Sequence, residues 1–88
     1  MAGSNSHRSD TWLRTDRPIV TFNTAMQRHL PELKAALSKG VQALPDPKRS
    51  GLYEVEVGND WYYISVPQPG SSVYLIAARR PAPAALAV

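Results

Sequence analysis

Eighty-eight residues with no cysteine and a formal net charge of +3 make one small domain at most, with a limited core. The missing thiols exclude disulfide staples, thiolate catalysis and every cysteine-based metal site. No stretch approaches the roughly 18 apolar residues of a membrane span, and the opening MAGSNSHRSD lacks the apolar region of a secretory signal.

These features lead us to expect a soluble, cytoplasmic protein without membrane contact, in which a single α+β domain over residues 12–80 lies between two disordered tails, 1–11 and 81–88. The basic residues are scattered from Arg8 to Arg80 without a long run, a pattern that fits a solvated surface better than a nucleic-acid footprint.

In chain order, Trp12 and Leu13 break the polar N-terminal run, and a tryptophan there is expected to dock onto the domain. Arg17–Phe22, RPIVTF, is β-branched and alternating, which predicts a short edge strand over residues 17–22, since Pro18 is tolerated only at a strand start or edge. Phe22, Met26, Leu30, Leu33, Leu37, Val41 and Leu44 then recur at steps of three or four, which predicts a helical face. Thr21 or Asn23 is the expected N-cap and Gly40 the C-terminal stop. Pro31 either kinks this helix or starts a second one. Val41–Leu44 is expected to be a turn leading into the loop 45–51.

The segment 51–80, GLYEVEVGNDWYYISVPQPGSSVYLIAARR, reads as a three-stranded antiparallel meander. A two-residue turn at Gly58-Asn59 pairs Val57 with Asp60, Val55 with Tyr62 and Tyr53 with Ile64. A type II turn at Pro69-Gly70 pairs Val66 with Val73 and Ile64 with Leu75. One sheet face then holds Tyr53, Val55, Val57, Tyr62, Ile64, Val66, Val73, Leu75 and Ala77, and the helix should pack there. The other face holds Leu52, Glu54, Glu56, Trp61, Tyr63, Ser65, Tyr74, Ile76 and Ala78. The expected fold is therefore one kinked helix, or two short ones, on a three- to four-stranded antiparallel meander sheet.

The second face is too apolar for a plain hydrated surface. Glu54, Glu56, Trp61, Tyr63, Tyr74 and Ile76 are its candidate partner-binding residues. Rings with adjacent carboxylates suit a cationic side chain. Alternatively, Arg14 or Arg17 folds back over this face with Trp12 and Leu13 sealing it, or two copies join through it. A single-stranded nucleic acid is a further alternative, its bases stacked on the rings and its phosphates held by Lys48, Arg49, Arg79 and Arg80; Glu54 and Glu56 oppose it.

Signs of chemistry are few. Glu54 and Glu56 stand about 6–7 Å apart on one strand face without an evident substrate pocket. His29 on the helix reads as a surface or capping residue. No phosphate loop, nucleophile elbow or metal-ligand spacing occurs, so no catalytic residue, metal or cofactor is expected. The order of elements from Phe22 to Arg80, a helix and then three strands ending in Arg79 and Arg80, resembles that of small ribonuclease toxins of the RelE type. That resemblance implies basic residues on the middle strands to handle a scissile phosphate; the middle strand here, WYYISV, has none. The residues favour a small non-catalytic interaction module that binds a protein partner or itself.

Overall fold

A computed structural model of the protein describes residues 11–79 as a six-stranded mixed sheet with one α-helix. In chain order the elements are β1 (Thr11–Leu13), β2 (Ile19–Val20), a 3-10 segment (Thr24–His29), α1 (Leu30–Lys39), β3 (Val41–Pro45), β4 (Leu52–Val57), β5 (Asp60–Ser65) and β6 (Val73–Arg79). The strands lie in the order β1-β3-β4-β5-β6-β2. The expected tails fall almost wholly outside the described residues, though Thr11 already belongs to β1.

The small α+β class is as expected, but the sheet is larger than a three- to four-stranded antiparallel meander. Val41–Leu44 forms most of a strand, not a turn, and pairs Ala43 with Val55 of β4. β1 adds antiparallel to its outer edge, with Trp12 opposite Gln42. β2 pairs in parallel with β6, Ile19 opposite Val73. The local pattern of Val41–Leu44 continues the helical spacing, so periodicity alone misplaces it. Gly40, at φ 103° and ψ 138°, ends the helix and turns the chain into the strand.

The pairing of β4 with β5 matches the sequence register at Val57–Asp60, Val55–Tyr62 and Tyr53–Ile64. Gly58 supplies the positive φ, 63°, that the tight turn requires. Between β5 and β6 the register agrees at Ile64–Leu75 and then slips, so that Tyr63 faces Ala77 and Tyr62 faces Ala78. Ile76 is the extra residue of a bulge. This reverses the expected faces of Ala77 and Ala78: Ala78 packs against the core and Ala77 is exposed. The β5–β6 connection is not the expected type II turn, because the Gln68-Pro69 bond is cis and Gly70 lacks a positive φ.

Asn23 caps the 3-10 segment, its Oδ1 accepting from the Ala25 N–H at 2.9 Å. Ahead of Pro31 the 3-10 segment passes directly into the α-helix, which begins at Leu30 with proline in its first turn, where the missing donor has no partner to lose. Leu33 and Leu37 are fully buried against Ala43, Val55, Tyr62, Ile64, Val73 and Leu75, and each buried leucine contributes about 1.5–3 kcal/mol. All of this core lies on one side of the sheet. Phe22, expected on the helical face, is instead 91% exposed and stacks on Tyr74 across the sheet edge.

Candidate interaction face

Strand alternation dictates the second face. With Val55, Tyr62 and Ile64 committed to the core, Glu54, Glu56, Trp61 and Tyr63 must point the other way. Tyr63 stands opposite Glu54, and Trp61 opposite Glu56. A groove of about 340 Å3 opens here, lined by Asp46, Glu54, Trp61, Tyr63, Ala77 and Arg79 together with Tyr62. A neighbouring hollow of about 270 Å3 continues past Glu54, Glu56 and Trp61 to Gln42 and Leu44. Trp12, 64% exposed, stands opposite Gln42 at the β1 edge.

Tyr63 is fixed from the loop after β3. Its hydroxyl donates to the Asp46 carboxylate, which also accepts the backbone N–H groups of Lys48 at 2.8 Å and Arg49 at 3.0 Å. The Tyr63 hydrogen bond is the largest cause holding the Asp46 carboxyl below its ordinary pKa; the Lys48 and Arg49 amides add to it. The same bond raises the Tyr63 hydroxyl above its ordinary value. The ring is thus held by a charge-assisted bond beside the groove.

The structure brings Glu54, Glu56, Trp61 and Tyr63 together. Tyr74 and Ile76 lie further along the face, in a separate hollow of about 430 Å3 with Phe22. Arg79 joins the Trp61 groove because the bulge turns it to this side. Lys48 and Arg49 sit on the exposed Asp46 loop, and Arg80 lies outside the described residues. Asp46 was missed; the signal was an Asp two and three residues before loop amides, a recurring turn motif. Ala77 was missed because nothing in VYLIAA marks the bulge.

Neither Arg14 nor Arg17 covers this face. Arg14 Nε donates to the Ser38 carbonyl at 3.0 Å. Arg17 reaches the Pro67 and Ser72 carbonyls at 3.0 and 3.2 Å, tying down the β5–β6 connection. Its Nε is buried with no hydrogen-bond partner among the described residues. Leu13 packs on the core side. Residues 11–13 satisfy their backbone by strand pairing with β3 and so do not cross the sheet. Among the described residues no element lies over this face.

On the core side, the Tyr62 hydroxyl donates to Glu32 Oε1 at 3.1 Å and meets His29 Nδ1 at 3.0 Å. Burial, then the Glu32 bond, pushes the Tyr62 hydroxyl up to about 12. One donor atom each from His29, Glu32 and Asp60 lie within 4.8 Å of one another, a set that could hold a metal ion. Arg28 Nε stands 3.5 Å from His29 Nε2 and works against a cation there. His29 and Asp60 are too far apart in sequence for ligand spacing to reveal the group.

Among the described residues no helix is long and apolar enough to cross a membrane. No protein-family model, curated protein or solved structure matches the chain.

Proposed function

We propose that the protein is a non-catalytic interaction module that binds polypeptide through its second sheet face, most simply a second copy of itself. The observation that carries this is the one-sided core: the helix covers one face, while the other keeps Trp61, Tyr63, Tyr74 and Phe22 around open grooves. Hydrated sheet faces alternate to polar residues, whereas aromatic clusters of this kind are enriched at interfaces. The carboxylates of Asp46, Glu54 and Glu56 around Trp61 and Tyr63 favour a protein over nucleic acid, whose phosphates they repel. A role for Arg79 in phosphate chemistry has the same obstacle.

Absolute mass by light scattering across the micromolar range tests this. The expected mass rises from 9.7 kDa toward twice that value, and Trp61→Ala returns it to the monomer. Trp61 is only partly buried, so the variant should retain its fold. A concentration-independent 9.7 kDa in both chains would sink the homotypic reading.

A further inference from the structure

We infer that two copies of this chain pack second face to second face about a two-fold axis along β5, with Glu56 of each copy paired to Arg79 of the other. This rests on the reading of the second sheet face as protein-binding, and it names the partner, the geometry and the residues that select it.

The strand register carries the argument. On the second face the pairings set three rows across β4, β5 and β6: Glu56–Trp61–Arg79, Glu54–Tyr63–Ala77 and Leu52–Ser65–Tyr74. Neighbouring strands lie about 4.7–4.9 Å apart. In the first row Glu56 and Arg79 therefore flank Trp61 at equal distances, a carboxylate on one side and a guanidinium on the other. The bulge at Ile76 is what brings Arg79 to this face. Both charged side chains are exposed, and among the described residues neither has a hydrogen-bond or ion-pair partner. Asp46, on the loop after β3, has Arg49 close by in its own copy, so Arg79 is the cation of the first row.

A two-fold axis in the plane of contact exchanges the two sides of the strand it follows. Along β5 it sets Trp61, Tyr63 and Ser65 each against its own counterpart. Glu56 then meets Arg79 twice, the apolar Leu52 meets Tyr74 twice, and the small Ala77 leaves room for Glu54. An axis across the strands at Tyr63 instead lays Glu56 over Leu52 and Arg79 over Tyr74, which takes a carboxylate out of water with no cation beside it. Stacked sheets align within about 30°, which offsets the facing positions at the Glu56 row by about 4 Å, within reach of a glutamate and an arginine side chain. A row of minus, ring and plus complements itself under this rotation, whereas like charges on both sides would repel the second copy.

Charge reversal tests the pairing, with mass measured by light scattering at matched micromolar concentrations and far-UV circular dichroism confirming each fold. Glu56→Arg and Arg79→Glu are each expected to weaken self-association about tenfold or more, equivalent to about 1.4 kcal/mol. An equimolar mixture of the two single variants should recover the dimer, because each contact in the mixed pair joins opposite charges. The chain carrying both Glu56→Arg and Arg79→Glu should recover it as well. If both single variants keep the parent's dimer mass while Trp61→Ala lowers it, the axis is not along β5 and the face reading survives. If the single variants dissociate but neither the mixture nor the double variant recovers, Glu56 and Arg79 do not meet, and the pairing is overturned. A parent that stays monomeric at every concentration, or a dimer indifferent to Trp61→Ala and to both reversals, overturns the pairing and the homotypic face reading together.

Discussion

Gly40 carries a tight local constraint. It holds φ 103°, and a Cβ built on it would fall 2.6 Å from the Trp12 indole. A side chain there must both enter a backbone region L-residues avoid and displace the ring. We therefore expect Gly40→Ala to cost on the order of 1–3 kcal/mol and to shift Trp12 emission, measured by thermal denaturation and fluorescence in a Trp61→Phe background. Tyr62 is 1% exposed and its pKa is raised to about 12. Below pH 10 the hydroxyl is neutral in both folded and unfolded chains, and its contribution is complete. As pH rises from 10 toward 12 the unfolded chain ionises first, so stability falls. Tyr62→Phe should cost about 0.5–1.5 kcal/mol at neutral pH and show a shallower loss of Tm between pH 9 and 11.5. An unchanged alkaline slope would assign the loss to other groups, Tyr63 among them.

Among the elements, the hairpin β4–β5 was legible because turn chemistry and pattern agree: Gly58 takes the positive φ, and Val55 and Tyr62 pair on the buried face. The helix was legible from Leu30, Leu33 and Leu37, and Gly40 marks its end. Three features were not. Val41–Pro45 becomes a strand because β4 offers it an edge, information absent from its own residues. Ile76 is extruded by a bulge, and either parity of the apolar run VYLIAA buries comparable side chains. Arg17 looked like cover for the sheet, yet its guanidinium serves the Pro67 and Ser72 carbonyls 50 and 55 residues away. Arg17→Ala strands those carbonyls, and we expect a loss of about 1–3 kcal/mol, read from denaturant unfolding. Amide exchange should accelerate over residues 66–73 while α1 stays protected; uniform acceleration would argue that Arg17 supports the whole domain instead.

At the scale of the molecule, the helix buries one side of the sheet, and among the described residues no element covers the other. The helix and the 3-10 segment together supply enough apolar surface for one face, with Met26, Leu30, Leu33 and Leu37 all turned to it. The chain spends its remaining aromatic residues on the other: Trp12, Trp61, Tyr63 and Tyr74 share it by register, and Phe22 stacks at its border. The imbalance was visible in sequence as a second apolar face; the groove on it was only partly so. The Trp61–Tyr63 core and its two glutamates follow from alternation, whereas Asp46 and Arg79 enter through a loop and a bulge. The central claim is that this face is the interaction surface. Backbone and indole amide spectra recorded on dilution test it most directly. The account predicts concentration-dependent shifts at residues 54, 56, 61, 63, 77 and 79, including the Trp61 indole N–H, with α1 unmoved. Shifts confined to α1, or none at any concentration, would contradict it.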